Sequence, residues 1–339
     1  MRKKIDLSVI ILNYNTKELL EDCLDSVYRS LITDRRSPNT VPIKSRIPPA
    51  LPRVLGAIGI DEVGNHRSPV TETIVVDNAS SDGSPAMVSE KFPWVKLIKN
   101  PHNYGFSKGN NLGIKRARGK YILLLNSDTK VFPRTLRVMV GFMEKNPDVG
   151  LSTCRVELSD GSLDPACHRG FPTPWNAFTY FLGLERFFPR SRLFAGYHLG
   201  WLDLKKTHEI ETPSGAFYFI RREVLDQVGF LDEDFFMYGE DIDFSYRVKK
   251  GGWKIMFVPQ TKITHYKKKS GRKKEEQGRL TRKAKKIREK TIGYFFETMK
   301  LFYDRHYKTK YSLVVRFLVL AGVWLLTQIK LLKLKMKKV

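Results

Sequence analysis

The sequence predicts an α/β fold in which a mostly parallel sheet is covered by helices on both faces. The chain has 339 residues, 42% hydrophobic and 28% charged, a composition typical of a globular protein. Short apolar runs alternate along residues 7–146 with stretches that have helical periodicity, and such runs are typical of strands buried on both faces. Alternating strands and helices indicate a parallel sheet with right-handed crossovers.

Each predicted element follows from a local pattern. The predicted strands are the apolar runs at 7–12, 73–77, 95–98 and 121–125. The first predicted helix starts at Asn15, which forms a capping-box-like pattern with Glu18. The later helices start at 84–85, where proline occupies an early position, at 107 and at 133. Residues 31–71 contain six prolines and little periodicity, so we expect a long excursion, disordered in part or folded over the surface.

The positive charge of the chain is concentrated in its last 74 residues. Residues 266–339 carry +18 of the formal net charge of +25. The apolar stretch 313–329 is shorter than the roughly 20 residues of a spanning helix. We therefore expect a helical tail that lies in the membrane interface with its cations at anionic headgroups. A helix packed on the protein's own core and a nucleic-acid-binding surface are the alternatives, and the aliphatic residues beside the basic run speak against the second.

Other sequence features exclude several classes of protein. Three scattered cysteines give neither a disulfide framework nor a zinc ribbon and favour a reducing compartment. The amino-terminal residues do not have the pattern of a signal peptide. The glycine-rich dinucleotide and P-loop patterns are absent from the sequence, which removes the main support for those functions.

Polar side chains follow three predicted strands at the points where these strands end. Asn13, Asp77 and Asp128 lie there, and carboxyl ends of parallel strands form the edge at which α/β sheets bind ligands. Asp77 could accept hydrogen bonds from a base or a ribose. Asp128 suits a divalent cation that phosphate oxygens also hold. A turn in which the acid caps its own backbone is the alternative for both.

Three further segments carry candidate chemistry. The amide- and glycine-rich segment 103–111 leads into a helix, whose first N–H groups attract anions, and Lys108 adds a positive charge; an ordinary loop is the alternative. Three acids within 240–243 repel one another, which raises a pKa and prepares a general base, although the helix dipole also favours acids there. His265 ends a strand-like run, and a lone histidine is usually structural.

Taken together and in this order, these segments resemble the inverting glycosyltransferases of family 2, which have the GT-A fold, and within them the rhamnosyltransferase-like group. The matching segments are 9–15, 75–83, 103–106, 125–128, 213–216, 228–236 and 238–243, followed by His265. The resemblance implies the GT-A (nucleotide-diphospho-sugar transferase) fold for residues 1–265. It divides them into a donor-nucleotide half, 1–128, and an acceptor half, 129–265, with 266–339 as the basic, amphipathic membrane-associating tail.

The resemblance also implies a role for each candidate residue. Asp241 is expected to be the catalytic base, and Asp128 and His265 are expected to hold Mg²⁺ or Mn²⁺ against the donor diphosphate. Asp128 ends a DXD-type motif in which Asn126 replaces the first acid. The residues expected to bind substrate are Asn13, Asp77, Asn78, Lys108, Asn126, Gly215, Ala216 and Glu240.

The expected function is metal-dependent, inverting transfer of one sugar, with rhamnose as a candidate. The donor is a nucleotide-diphosphate sugar, and the acceptor is a hydroxyl of a glycan or lipid-linked molecule in cell-surface polysaccharide synthesis. The QxxRW motif of processive synthases is missing from the sequence, which favours single transfer. We expect a peripheral protein on the cytoplasmic face of the membrane, bound to anionic lipid and not to nucleic acid. A non-catalytic sugar-nucleotide or membrane-binding scaffold on the same fold is the alternative.

Overall fold

A computed structural model of the chain describes residues 4–32, 69–267 and 282–336, so the predicted excursion at 31–71 falls almost wholly outside the described residues. The strands are β1 (Leu7–Asn13), β2 (Thr71–Asp77), β3 (Lys96–Lys99), β4 (Tyr121–Asn126), β5 (Thr129–Val131), β6 (Val149–Leu158), β7 (His208–Glu209), β8 (Phe217–Arg221) and β9 (Lys254–His265). The α-helices are α1 (Lys17–Ile32), α2 (Ser84–Lys91), α3 (Gly105–Arg116), α4 (Thr135–Lys145), α5 (Pro174–Phe181), α6 (Leu184–Phe187), α7 (Arg222–Val228), α8 (Glu240–Lys250), α9 (Arg282–His306) and α10 (Leu313–Met336).

The strands form one sheet in the order β3-β2-β1-β4-β8-β6-β9-β5, and β7 pairs with β9. The first four strands are parallel, as the sequence predicts. Beyond them the sheet is mixed, because β8 runs antiparallel to both β4 and β6. The predicted α/β class is confirmed. The predicted parallel pairing of strands is found in the amino-terminal half of the sheet.

The centre of the sheet is buried on both faces. Successive side chains of a strand point to opposite faces, and Leu7 to Ile11 of β1 are all fully buried. Helix α3 lies close against β1 and β2 because it presents glycines to them. A Cβ on Gly109 would lie 2.5 Å from Leu12 Cδ1, and one on Gly113 would lie 2.5 Å from Ile10 Cγ2. The glycine-rich start of α3 is therefore required for packing, whatever else it does.

The start of α1 differs from the sequence prediction. Asn15 does not cap this helix, because its Oδ1 accepts a hydrogen bond from the backbone N–H of Ser81. The backbone N–H of Lys17 is instead capped by Oδ2 of Asp82, at 2.8 Å. This cap comes from a residue 65 positions away in the chain, so local sequence could not reveal it. It ties the loop after β1 to the loop after β2, at the carboxyl ends of two neighbouring strands.

The two carboxyl-terminal helices differ in how they contact the rest of the chain. Helix α9 packs through Phe302 and Tyr303 against Phe235, and Tyr307, just beyond the end of the helix, joins the same cluster. Helix α10 contacts α9, but many of its apolar side chains are exposed, and its most apolar stretch is not buried against the rest of the chain. Within the described ranges, α10 is the one helix long and apolar enough to cross a membrane by length and composition alone.

Asp243 fixes the end of α9 to α8. Its carboxylate is buried and accepts hydrogen bonds from Arg247 Nε at 2.9 Å and, across the interface, from His306 at 2.7 Å between Nε2 and Oδ1. Burial alone would raise the pKa of Asp243, but the bond from His306 and the charge of Arg247 outweigh it and lower the pKa below 3.8. Of the three clustered acids, Asp243 therefore has a structural role, because it joins α8 to the end of α9.

Replacing Asp243 by asparagine is expected to lower the free energy of unfolding by about 3 kcal/mol, because the partly buried Arg247 loses the carboxylate that neutralises its charge. Because the folded pKa is lowered, the wild-type advantage is present at neutral pH and is lost as pH falls through that lowered pKa. Urea unfolding at several pH values measures both effects, with Asp226→Asn on the exposed side of α7 as control. Equal stability of the two variants at pH 7 would contradict this role.

Candidate active site

Asn13 and Asp77 lie side by side where β1 and β2 end. They are register partners in the parallel pair, and Asn13 Nδ2 donates to Asp77 Oδ1 at 2.7 Å. The other carboxylate oxygen accepts the backbone N–H of Ser80 at 2.9 Å. Both side chains are buried, so the carboxylate of Asp77 is held in a fixed orientation at the edge of the sheet. The sequence left two roles open for Asp77, a cap of its own turn and a ligand-binding acceptor. The structure shows the cap, and it also places Asp77 at the carboxyl end of β2, the edge of the sheet at which a ligand is expected.

Asn78 has a supporting role. Its Nδ2 donates to the carbonyl oxygen of Gly105 at 3.0 Å, and its Oδ1 accepts from Asn100 Nδ2 at 2.8 Å. Its side chain therefore anchors the segment that leads into α3. Lys108 lies in the first turn of that helix, exposed, with its Nζ 4.6 Å from the centre of the Tyr104 ring.

Asp128, His265 and Asp164 form a line of polar side chains beyond the end of β4. His265 Nε2 lies 3.2 Å from Asp128 Oδ1, and Nδ1 lies 3.3 Å from Asp164 Oδ2. Thr129 pairs with His265 in the antiparallel ladder between β5 and β9, which is why residues so far apart in the chain meet. All three side chains are nearly or fully buried.

Hydrogen bonds set the charge state of this line. Burial would lower the pKa of His265, but its hydrogen bonds to Asp128 and Asp164 outweigh burial and raise it. Burial would raise the pKa of Asp164, yet bonds from His265 and Lys267 lower it to about 2. Asp164 is therefore ionised and orients the imidazole through Nδ1, which leaves Nε2 facing Asp128.

The oxygen and nitrogen that face each other here suit a divalent cation. Ligands at about 2.1 Å from one octahedral ion lie roughly 3 Å apart, close to the 3.2 Å between Asp128 Oδ1 and His265 Nε2. Asn126 Nδ2 approaches the same imidazole nitrogen at 3.4 Å. No group of three His, Cys, Asp or Glu side chains arranged to hold a metal occurs in the described part of the chain. Mg²⁺ with a phosphate substrate is typically held by one or two protein carboxylates, and substrate oxygens and water supply the other ligands. Asp128 provides such a carboxylate, and His265 adds a nitrogen ligand beside it.

Asp241 lies in the first turn of α8 and is bound by a buried arginine. Arg169 Nη2 donates to Asp241 Oδ2 at 2.7 Å and to the carbonyl oxygen of Pro213 at 3.0 Å. Burial would lower the pKa of Arg169, but the charge of Asp241 outweighs it and raises the pKa above its ordinary value. The backbone carbonyl of Asp241 accepts from the hydroxyl of Tyr218, at 2.9 Å. The carboxylate is therefore fixed in orientation and remains partly accessible to solvent.

Glu240 is buried beside Asp241, and its Oε2 has no hydrogen-bond partner among the described residues. Burial and, second, the charge of Asp241 raise the pKa of Glu240 to about 8. At neutral pH it is mainly a neutral acid that can donate a hydrogen bond. A Cβ on Gly215 would lie 2.9 Å from Phe106 Cζ and 3.9 Å from Glu240 Oε1, so only glycine fits between these side chains without displacement.

Replacing Glu240 by glutamine is expected to remove a loss of stability that the wild type shows between about pH 5 and pH 8. Because its folded pKa is raised from 4.5 to about 8, Glu240 favours the folded state below pH 4.5, and this advantage is lost progressively as pH rises to about 8. The wild type should therefore lose melting temperature relative to Glu240→Gln between pH 5 and about 8, whereas Glu223→Gln, exposed on α7, should follow the wild type. Parallel pH curves for wild type and Glu240→Gln would contradict the buried neutral acid.

Short contacts connect these groups into one rim of the sheet. Thr16 Oγ1 donates to Asn13 Oδ1 at 2.6 Å and contacts Ser127 Oγ at 2.8 Å, which joins the Asp77 end to the Asp128 end. The backbone N–H of Asn126 donates to the carbonyl oxygen of Ala216 at 3.2 Å, next to Gly215. Gly215 lies beside the side chain of Glu240, and Asp241 is the next residue in α8. Lys108 is not joined to this network by any contact among the described residues, and its proposed role remains a prediction.

The sequence assigns no individual role to two residues of this rim, Asp164 and Arg169; it indicates only that their segment, 163–172, either shapes an acceptor or lipid-facing groove or packs as ordinary core and loop. Both lie in the irregular segment 163–170, where a 3₁₀ turn (Pro165–Cys167) replaces helix or strand periodicity. The signal for them is weak: one acid and one arginine, in a segment without a recognisable pattern. Each is identified by what it touches in the fold.

The fold and this site define a protein of the glycosyltransferase class, and comparison with known families agrees. The family described as glycosyl transferase family 2 matches residues 57–229, just over half of the chain. The chain belongs to this family, as the sequence predicts.

Individual relatives refine this class. The chain is 26% identical over 219 residues to N-acetylglucosaminyl-diphospho-decaprenol L-rhamnosyltransferase of Mycobacterium tuberculosis, which covers 57% of this chain and 66% of the relative. It is 25% identical over 172 residues to rhamnosyltransferase WbbL of Escherichia coli, covering 48% of this chain and 61% of the relative. The chain thus spans somewhat less than two thirds of the length of either. The predicted likeness to rhamnosyltransferases is confirmed.

Solved structures show the same fold. The crystal structure of GalNAc-T7 with UDP, GalNAc and Mn²⁺ superposes with a TM-score of 0.51 at 15% identity, covering 89% of this chain and 50% of that one. At this identity the likeness concerns the fold alone, and it agrees with the predicted GT-A class.

Proposed function

We propose that the protein is an inverting glycosyltransferase that moves one sugar from a nucleotide-diphosphate donor to a hydroxyl group of a glycan or lipid-linked acceptor. The relatives support a rhamnosyl or other hexosyl group and a role in cell-surface polysaccharide synthesis. The observation that carries the proposal is the 3.2 Å pair of Asp128 and His265 on the same rim as the arginine-bound carboxylate of Asp241.

A Mg²⁺ or Mn²⁺ ion fits the pair formed by Asp128 and His265. Their two facing ligand atoms have the spacing of neighbouring ligands on one ion, and Asp164 fixes the imidazole. When bound, such an ion supplies positive charge to the leaving diphosphate. Asp128 and His265 hold it, and Asn126 is positioned to hydrogen-bond a ligand beside it. The GalNAc-T7 structure, which has the same fold, contains Mn²⁺ together with UDP, which supports a divalent cation as the metal.

The residues of the chain divide the reaction between them. Asp77, held by Asn13, accepts hydrogen bonds from the nucleoside of the donor. Asp241 takes the proton from the acceptor hydroxyl, whose oxygen then attacks the anomeric carbon on the face opposite the diphosphate, so the configuration inverts. Arg169 binds Oδ2 of Asp241, and the backbone N–H of Ile242 donates to Oδ1 at 2.9 Å, so the proton goes to the remaining lone pair of Oδ1. Glu240, as a neutral acid, donates a hydrogen bond to the sugar beside Gly215.

The experiment that tests this function is a screen of nucleotide sugars in the presence of Mn²⁺. We expect one donor to raise the melting temperature and to be hydrolysed slowly in the absence of an acceptor. A scaffold without catalytic function would show the thermal shift but no hydrolysis and no transfer to any acceptor. If no nucleotide sugar shifts the melting temperature, the proposed donor site is wrong.

The carboxyl-terminal helices fit a peripheral position on the cytoplasmic face of the membrane. Exposed apolar side chains of α10 alternate with exposed lysines near its end, as in helices that lie in the interface. Flotation with anionic liposomes tests this placement. We expect the full chain to float at low salt and to be released as salt rises, and a chain that stays unbound at low salt would contradict it.

A further inference from the structure

A cavity of about 400 Å³ lies where the carboxyl end of α8 faces α9 and the segment that leads into α10. Its lining has four cationic side chains and no carboxylate. The four are Lys249, Lys250, Arg305 and Lys310. Its volume is in the range of ligand-binding pockets, and none of these residues belongs to the site described above.

Two of these cations lack a neutralising partner. Lys249 pairs with Glu209, and Arg305 pairs with Asp232 and Asp234. Lys250 and Lys310 have no carboxylate partner among the residues that the structure describes. Lys310 Nζ lies 5.0 Å from the centre of the Tyr246 ring and donates to the hydroxyl of that tyrosine. Uncompensated ammonium groups at the wall of a cavity attract an anion.

Aromatic side chains also line the cavity. The rings of Phe171 and Tyr246 are 5.2 Å apart, and those of Tyr246 and His306 are 4.4 Å apart. His306 is fixed in turn by its bond to Asp243. A lining with both cationic and aromatic side chains suits a phosphate group attached to a larger organic molecule better than it suits a free ion.

The position of the cavity points to the acceptor side of the reaction. Tyr246 follows Asp241 on α8 by five residues, about 7.5 Å along the helix axis. Phe171 follows Arg169, the partner of Asp241, by two residues. On its other side, Lys310 precedes by three residues the start of α10, whose apolar side chains Leu313 and Phe317 are exposed. The cavity therefore lies about one and a half turns beyond the proposed base along α8 and beside the segment that leads into the proposed membrane helix.

We propose that this cavity binds the diphosphate group of a lipid-linked acceptor, with the acceptor sugar directed toward Asp241 and the lipid toward α10. This inference rests on the proposed function and names its acceptor class. The name of the mycobacterial relative includes N-acetylglucosaminyl-diphospho-decaprenol, a sugar joined to a lipid through a diphosphate, which is the class of acceptor proposed here. A phospholipid headgroup offers similar phosphate oxygens, so the test separates the two sources.

The test compares the full chain with two double variants in EDTA, where diphosphate binding at Asp128 and His265 lacks its cation. Lys250→Gln/Lys310→Gln removes the two unpaired charges of the cavity. Lys145→Gln/Lys205→Gln removes the same charge elsewhere, and Lys145 ends α4 as Lys250 ends α8. The probe is farnesyl diphosphate, measured by calorimetry, with farnesol and mixed phosphatidylcholine–phosphatidylglycerol vesicles as comparisons.

We expect the cavity variant to bind farnesyl diphosphate about ten-fold more weakly or worse, because each lost ammonium removes a charge-assisted hydrogen bond. Farnesol and vesicle binding should not change, and the control variant should match the wild type. Unchanged affinity for farnesyl diphosphate, or an equal loss of vesicle binding, would overturn the assignment. The thermal shift with nucleotide sugar and Mn²⁺, measured on the same samples, reports the proposed function separately, since it concerns only the donor.

Discussion

Asp241→Asn is expected to lower the turnover number for sugar transfer by a factor of about 10²–10⁴, which is the typical contribution of a positioned general base. An amide keeps the size of the side chain and can still contact Arg169, but it cannot take a proton from the acceptor hydroxyl. Donor affinity should stay within a factor of about two, because Asp77, Asp128 and His265 are untouched.

The measurement is steady-state transfer together with donor binding by calorimetry. Asp226→Asn, an exposed acid on α7, is the matched control and should transfer sugar at the wild-type rate. Melting temperatures of both variants separate a catalytic defect from a folding defect. If Asp241→Asn transfers sugar at a near-normal rate, another group is the base.

Asp128→Ala and His265→Ala are expected to abolish the gain in donor affinity that Mn²⁺ gives the wild type. Each removes one of the two protein ligands that lie 3.2 Å apart. Donor binding in EDTA and in Mn²⁺ should then be nearly equal for either variant. Asp164→Ala should weaken cation binding about 10- to 100-fold, because the variant has no side-chain acceptor to orient His265 through Nδ1.

Calorimetric titration of the nucleoside diphosphate with and without EDTA measures this coupling. Asp226→Ala serves as the control and should retain the full effect of Mn²⁺. A wild-type protein whose donor affinity is the same in EDTA would contradict the cation site. A normal Mn²⁺ response in Asp128→Ala would contradict the assigned ligand.

The amino-terminal half of the fold can be predicted because its information is local. Buried parallel strands are near-continuous apolar runs, and the observed β1 to β4 fall on the predicted runs within about two residues. Polar residues at the ends of these runs have to share one edge, because parallel strands end on the same side. This geometry is why the sequence alone identifies Asn13, Asp77 and Asp128 as neighbours.

The second half of the site depends on contacts that local sequence does not carry. Strands β6 and β8 were not predicted, and the antiparallel entry of β8 beside β4 brings Ala216 to Asn126. The ladder between β5 and β9 brings His265 to Asp128. Asp164 and Arg169 lie on irregular backbone, so no periodic pattern marks them. The three acids of α8 look alike in sequence, yet Asp243 binds α9 while Glu240 and Asp241 face the rim.

The central claim is that Asp128 and His265 together hold the cation of a nucleotide-sugar site. Anomalous scattering from crystals grown with Mn²⁺ and a nucleoside diphosphate tests it most directly. We predict one strong manganese peak within about 2.5 Å of both Asp128 Oδ1 and His265 Nε2, with diphosphate oxygens completing its coordination. A nucleotide bound elsewhere, or a manganese peak that neither side chain touches, would contradict the claim.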